Sequence, residues 1–227
     1  MARGARLPDK GTARPRRVVW RAGKVLYRVH SARRDAASFN GTPVDHHFGG
    51  GRFDSTPNDE YAYLYAAPGV RTALVERLAR DMCFDGRGNP RILPRKEVAG
   101  KRLSQVRLTQ DVSLVSLRSM IELSSVQQSD EWLVHSPPTE YAFTRRWGHW
   151  LREEADWAHG FVWPSRLDWP NESLVLFDGR ASGNLVEVTD LPARDLDEPD
   201  SLRWLGRQLG PRGIEIGPPD GGYPAAT

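Results

Sequence analysis

Gly49-Gly50-Gly51-Arg52-Phe53-Asp54 is followed by Tyr63-Leu64-Tyr65-Ala66 and then by Ala73-Leu74-Val75-Glu76. Three consecutive glycines lose more backbone entropy on folding than any other tripeptide, so an ordered glycine run indicates close approach of backbone to a ligand. Arg52 adds a planar cation that suits phosphate or carboxylate. The alternative, a flexible loop without a ligand, stays open on this stretch alone.

The surrounding pattern predicts one domain of mixed secondary structure. Apolar residues recur at helical spacing over 70–82, which places Glu76 off the apolar stripe of a helix. A second, longer helix is predicted over 139–157, with Thr139 as its N-cap. Strands are predicted where β-branched and aromatic residues alternate, at 18–20, 24–29, 61–65, 92–93, 102–108, 112–115, 161–163 and 173–177. Together they predict an α+β fold without an internal repeat.

Composition favours a globular protein in the cytoplasm. The chain has 227 residues, 39% of them hydrophobic, which suffices for a core. Its apolar runs are too short to predict a membrane span, and no apolar signal segment follows the basic start. Cys83 is the single cysteine, which excludes an internal disulfide and a cysteine-cluster metal site.

The net charge of +3 is unevenly distributed. Residues 1–34 hold 11 of the 32 lysines and arginines but one acid, Asp9. We expect residues 1–18 to be a disordered basic tail and 209–227 to be a flexible, Pro/Gly-rich tail. The functional domain is then predicted over 19–208. The basic arm could contact nucleic acid or an acidic partner, or serve as a solubilising extension.

Other chemistries are less well supported. Asp45-His46-His47 has the residue types of a metal site, but no second histidine or cysteine motif lies at ligand spacing, which favours ordinary loop histidines. The Gly-x-Ser-x-Gly elbow of many serine hydrolases is absent from the sequence. Trp163-Pro164-Ser165-Arg166 instead places a hydroxyl directly after a predicted strand, where Pro164 restricts the backbone.

The combination of these stretches, in this order, resembles the RES domain family. The matching blocks are Tyr27-Arg28, Gly50-Gly51-Arg52-Phe53-Asp54, Tyr65 followed by Glu76, and Gly160 to Arg166 with the strand after it. A further stretch, 141–147, resembles the family segment that precedes the serine motif. The Arg, Glu and Ser after which the family is named match Arg28, Glu76 and Ser165.

The resemblance implies a fold similar to ADP-ribosyltransferases, with a split β-sheet flanked by helices and a cleft for NAD. It implies a toxin that cleaves NAD at the nicotinamide–ribose bond, with NAD as substrate and neither a separate cofactor nor a metal. Glu76 would stabilise the positive charge that grows on the ribose, and Arg28 and Arg52 would hold the pyrophosphate. Ser165 would hold the ribose or the nicotinamide edge, Tyr65 would face the nicotinamide ring, and Gly51 would let backbone approach the ligand.

The acceptor and the partner are less closely defined by the resemblance. Water would make the protein an NAD glycohydrolase, phosphate an NAD phosphorylase, and a protein side chain an ADP-ribosyltransferase. A non-catalytic binding module with the same fold is the alternative from another class. The resemblance also implies an Xre-type antitoxin partner, with nucleic acid contacted through the antitoxin, and it leaves a homodimer open.

Overall fold

The computed structural model describes residues 6–218, which form two main β-sheets and five α-helices. The strands are β1 (Arg17–Trp20), β2 (Val25–Ser31), β3 (Tyr63–Ala66), β4 (Arg91–Leu93), β5 (Lys101–Leu108), β6 (Val112–Ser116), β7 (Gly160–Pro164), β8 (Glu172–Phe177), β9 (Val186–Val188), β10 (Arg194–Asp195) and β11 (Ile214–Ile216). The helices are α1 (Val70–Leu78), α2 (Met120–Ser124), α3 (Trp132–His135), α4 (Tyr141–Glu154) and α5 (Pro199–Leu209).

The larger sheet has five strands in the order β1-β6-β7-β8-β3, and its pairs are antiparallel except for the parallel pair β6–β7. The smaller sheet is built around β5, which pairs antiparallel with β2, β9 and β10. β4 and β11 form a separate parallel pair. The α+β split-sheet fold that the sequence predicted is therefore confirmed.

Period-two alternation along the central strands builds the layers of the core. On β7, Phe161 and Trp163 face the cluster that contains α4, whereas Val162 faces the cluster shared with the smaller sheet. On β8, Val175 and Leu176 divide in the same way. A third cluster packs α1 and α5 against the outer side of the smaller sheet. The result is one continuous domain in which both sheets share apolar contacts.

The two sheets meet at one point that matters for the site. Tyr27 on β2 and Ala67, just after β3, exchange backbone hydrogen bonds of 2.7 and 2.9 Å. Beyond this bridge the two strands belong to different sheets and are no longer paired along their length. Residues on either side of the bridge line a cleft between the sheets.

Close packing at the start of β7 leaves no room for a side chain at Gly160. A Cβ on Gly160 would lie 2.0 Å from the backbone oxygen of Val175 on β8. Because overpacking costs about 1–3 kcal/mol, we expect Gly160→Ala to lower the free energy of unfolding by that amount in urea denaturation. The matched control is Gly206→Ala on α5, where a Cβ has open space. Equal stability of the two variants would contradict the packing argument.

Most predicted elements are confirmed to within a few residues, but the start of the long helix differs. Thr139 is not its N-cap: it lies in a 3₁₀ turn, Pro138–Glu140, and α4 begins at Tyr141 without a side-chain cap. The proline before Thr139 fits the first turn of a helix, where no backbone donor is needed. The short helices α2 and α3, helix α5 and strands β9 to β11 were not predicted.

The predicted tail boundaries are wrong within the described residues. In the N-terminal segment, Ala13 is 5% exposed and packs in the core. The backbone N–H of Gly11 donates to Glu154 at 2.7 Å, and that of Arg14 donates to the Ser125 carbonyl, also at 2.7 Å. Composition missed this segment because backbone hydrogen bonds and the isolated apolar contacts of Leu7 and Ala13 hold it, rather than an apolar periodic pattern. Residues 1–5 lie outside the described part of the chain.

The C-terminal segment also belongs to the domain as far as residue 218. Ile214 is 1% exposed and packs with Leu205 and Leu209 of α5. Gly213 has φ of 65°, the left-handed conformation that favours glycine, and it turns the chain into β11. The Pro/Gly-rich composition of this segment therefore did not indicate β11, a short strand that pairs parallel with β4. Residues 219–227 lie outside the described part.

Candidate active site

A cleft of about 630 Å³, open to solvent, lies where β2 and β3 diverge. One wall comes from β2 and the opposite wall from β3. Helix α1 and the glycine loop (residues 49–51) close the ends. The cleft is strongly cationic, since four arginines and one carboxylate line it. The lining includes Tyr27, Arg28, Gly51, Arg52, Tyr65, Glu76, Arg77, Arg80, Tyr141, Trp163 and Ser173.

Glu76 is presented by α1 and fixed by the loop after β7. The hydroxyl of Ser165 donates a short hydrogen bond to Oε1 of Glu76. The same hydroxyl oxygen accepts from the backbone N–H groups of Leu167 at 3.2 Å and Asp168 at 3.0 Å. Ser165 is fully buried, whereas Glu76 is half-buried and lines the cleft. Ser165 therefore sits behind Glu76 and orients its carboxylate.

Asp168 connects the serine loop, the segment after β7 that contains Ser165, to helix α1, which carries Glu76. Its carboxylate accepts from Thr72 at 2.6 Å, one turn before Glu76 on α1, and from Asn171 at 3.2 Å. Arg212 forms a close ion pair with the other oxygen of the same carboxylate. Asp168 is 3% exposed, so these contacts are shielded from water and hold α1 at a fixed distance from the serine loop.

Arg28 projects from β2 toward the cleft. Its Nη1 donates to the carbonyls of Ala36 at 2.8 Å and Ser38 at 2.9 Å, while its Nη2 donates no hydrogen bond to any described residue. Burial lowers the pKa of Arg28 to about 10, and the nearby Asp35 acts in the opposite direction. Arg28 is thus a cation at neutral pH with part of its fork still free for an anion.

The contacts that order the glycine loop leave no room for a side chain at Gly51. A Cβ on Gly51 would lie 2.6 Å from Oδ1 of Asp54 and 3.0 Å from the Tyr65 hydroxyl. The Gly51 N–H donates to Asp54 at 2.7 Å. Arg145, from α4, donates to the Gly49 carbonyl at 2.8 Å. The prediction that the loop lets backbone approach a site is consistent with this geometry, because Gly51 itself lines the cleft.

Arg52 differs from its predicted role. Its Nη1 donates to Ser136 Oγ at 2.6 Å and to the Leu133 carbonyl at 3.2 Å; its Nη2 donates to the Ser136 carbonyl at 3.1 Å and to the Tyr141 hydroxyl at 3.4 Å. Those four bonds use the four terminal N–H groups of a guanidinium. Arg52 lines the cleft but has no free fork for a phosphate, so the predicted bidentate grip does not fit.

Tyr65 lines the cleft, and its contact with a nicotinamide ring stays a prediction. The ring stands edge-on to Trp163, with centroids 6.2 Å apart, and the hydroxyl accepts from the Phe53 N–H at 2.8 Å. Burial raises the pKa of Tyr65 well above its ordinary value, which keeps the phenol neutral. The ring is therefore an apolar surface with its polar end already satisfied.

Sequence reasoning missed several lining residues. Arg77 and Arg80 follow Glu76 by one and four positions, a spacing that could have suggested a shared surface. No local pattern indicates the placement of Tyr141, because its contact with Arg52 joins positions 89 residues apart. The histidines at 46–47 line no part of this cleft. Within residues 6–218, no group of three or more His, Cys, Asp or Glu is arranged to hold a metal.

Comparison with known proteins identifies the family of this chain. The family model for the RES domain matches residues 25–199, which run from β2 to the start of α5. The chain belongs to the RES domain family. The Arg, Glu and Ser of that name, matched here to Arg28, Glu76 and Ser165, come together around one RES cleft, with Ser165 behind Glu76.

The RES fold is also found in a solved structure. A chain of the M. tuberculosis MbcT–MbcA toxin–antitoxin complex aligns with a TM-score of 0.55 and 16% sequence identity, covering 78% of this chain and 86% of that chain. At this identity the likeness is one of fold. Among curated proteins, none matches the sequence. In the described part of this RES protein, every helix is too short or too polar to cross a bilayer.

Proposed function

We propose that this RES protein cleaves NAD at the bond between nicotinamide and ribose. The observation that carries the proposal is a single carboxylate, Glu76, fixed by a buried serine at the wall of a cationic cleft. As nicotinamide departs, positive charge grows on the ribose, and a carboxylate already in place stabilises that charge without reorganisation. Nicotinamide is a good leaving group, so one carboxylate suffices where ordinary glycosidases need two.

The other lining groups suit a dinucleotide with a flat aromatic ring and a pyrophosphate. Tyr65 and Trp163 supply aromatic surface for a ring, and Arg28 supplies a partly free cation for a phosphate oxygen. In this proposal Glu76 is the catalytic residue, and Ser165 is a positioning residue rather than the direct ligand contact that the sequence suggested.

The biological role that we propose is that of a toxin controlled by an antitoxin. The similar fold in a toxin–antitoxin complex supports this role, together with membership of the RES family. Loss of NAD would harm any cell, so a partner protein that blocks the cleft would be required. An Xre-type partner, through which nucleic acid would be contacted indirectly, remains the proposal from the family resemblance.

Expression in a bacterial host tests the toxin role. We expect wild-type protein to arrest growth and deplete cellular NAD, and Glu76→Gln protein, expressed to the same soluble level, to do neither. Normal growth with undiminished NAD on wild-type expression would contradict it. Such a result would favour a transferase with a specific protein target or a non-catalytic binding module.

The positioning role of Ser165 predicts a defect that exceeds a simple loss of stability. Ser165→Ala removes the hydrogen bond to Glu76 and leaves two buried N–H groups without their acceptor, at a cost of about 1–3 kcal/mol in stability. We expect kcat for NAD cleavage to fall by roughly tenfold while KM changes little, since the ligand itself is not contacted.

The control for this variant is Ser55→Ala. Ser55 is equally buried, and its hydroxyl oxygen has no hydrogen-bond partner among the described residues. Stability is followed by urea denaturation and activity by steady-state kinetics. A large rise in KM with unchanged kcat for Ser165→Ala would indicate that Ser165 contacts the ligand directly, and it would contradict the positioning role.

A further inference from the structure

Arg77 and Arg80 form a pair of guanidinium groups with few protein contacts at the edge of the cleft. Both line it, Arg77 from α1 and Arg80 from the turn that follows α1. Within residues 6–218, the Arg77 side chain has neither a hydrogen bond nor an ion pair. The Arg80 side chain has an ion pair of 3.5 Å between Nε and the exposed Asp81 carboxylate, and its terminal nitrogens donate no hydrogen bond.

These two cations repel each other where they stand. Burial lowers the pKa of Arg77, and the charge of Arg80 acts in the same direction. The carboxylates of Glu97 and Asp81 act on Arg77 in the opposite direction, but within residues 6–218 neither carboxylate makes a hydrogen bond to either guanidinium. Two such guanidinium groups on one cleft are stabilised when an anion with several acceptor oxygens lies between them. A phosphate group meets that description, since its oxygens can accept from both forks at once.

Tyr141 connects this pair with Arg52. The guanidinium carbon of Arg52 lies 4.8 Å from the centroid of the Tyr141 ring, and that of Arg80 lies 5.4 Å from it. The Tyr141 hydroxyl in turn accepts from Arg52. Arg52 is tied down by Ser136 and Leu133, so it fixes the ring against which Arg80 rests. Arg52, whose terminal donors are occupied, therefore supports the Tyr141 ring that contacts Arg80.

We propose that Arg77 and Arg80 form the anion subsite that binds a phosphate group of the dinucleotide, the role that the sequence assigned to Arg52. Arg28, with its partly free fork across the cleft, would share this task. The inference rests on the proposed function for the identity of the ligand, but the subsite itself depends only on two cations whose terminal nitrogens donate no hydrogen bond within residues 6–218. In this inference Arg52 holds Tyr141 in place and does not bind the phosphate.

Substrates with and without phosphate test the subsite. The variant is the double substitution Arg77→Gln/Arg80→Gln, and the control is Arg71→Gln, an exposed α1 residue that does not line the cleft. We expect KM for NAD to rise by about tenfold or more in the double variant, with kcat within about twofold. Cleavage of nicotinamide riboside, which has no phosphate, should be unchanged in both variants.

A binding measurement separates this inference from the proposed function. Calorimetry with ADP should show binding to the wild-type protein and to Arg71→Gln, and at least a roughly tenfold weaker affinity for the double variant. If the wild-type protein binds ADP in this way but cleaves neither substrate, the proposed function fails and the subsite stands. Unchanged ADP affinity and unchanged KM for NAD in the double variant would overturn the subsite. An equal loss for NAD and nicotinamide riboside would do so as well, because it would indicate damage to the cleft as a whole.

Discussion

Replacement of Glu76 by glutamine is expected to abolish most NAD cleavage while the fold is kept. The side chains are nearly isosteric, and the amide oxygen of glutamine can still accept the hydrogen bond from Ser165. The substitution removes the negative charge that would face the growing positive charge on the ribose. Loss of one such electrostatic group typically costs about 3–4 kcal/mol in the transition state, or roughly a hundredfold or more in rate.

The measurement is the initial rate of nicotinamide release at saturating NAD. Glu97→Gln is the matched control, since Glu97 is exposed and does not line the cleft. Urea denaturation establishes that both variants are folded. Wild-type turnover in a folded Glu76→Gln protein would remove Glu76 from the catalytic role, and a loss of similar size in Glu97→Gln would point to a general effect of charge.

Phe53→Ala is expected to produce the largest loss of stability. Phe53 is fully buried beneath the glycine loop. Its ring centroid lies 5.3 Å from that of Phe161 and 5.1 Å from that of Trp163, both edge-on, and the ring also packs against Gly148 of α4. Truncation of a buried phenylalanine costs about 3–5 kcal/mol, because apolar contacts are lost and a cavity remains.

The free energy of unfolding from urea denaturation checks this prediction. The matched control is Phe48→Ala, in the same loop region, because Phe48 is 78% exposed. We expect that control to differ from wild type by less than about 0.5 kcal/mol. The backbone of Phe53 also holds Tyr65 and Tyr61 through hydrogen bonds of 2.8 and 2.9 Å, so the site should loosen together with the core. A Phe53→Ala protein as stable as the Phe48→Ala control would contradict the packing described here.

The sequence predicted the fold class and most strands because their alternation records burial on two faces. It also predicted Arg28, Gly51, Tyr65 and Glu76 as site residues, and these line one cleft. Motif order brought these residues together, since a resemblance places residues in a known architecture without any contact being worked out, and their roles at the cleft stay predictions.

The errors have a common physical cause, which is that contacts between distant residues leave no local pattern. Arg52 and Ser136 are 84 positions apart, and their hydrogen bond decides that Arg52 has no free fork. Ser165 and Glu76 are 89 positions apart, so spacing could not show that the serine supports the carboxylate. Ala13 is held in the core mainly through backbone groups of its neighbours, which composition cannot register.

The most direct test of the account is identification of the products when purified wild-type protein is incubated with NAD. Chromatography with mass detection, with and without inorganic phosphate, separates nicotinamide from ADP-ribose and from its phosphorylated form. We expect stoichiometric release of nicotinamide that depends on Glu76, and the second product identifies water or phosphate as the acceptor. Intact NAD after prolonged incubation with folded protein, or cleavage at the pyrophosphate with nicotinamide still attached to ribose, would contradict it.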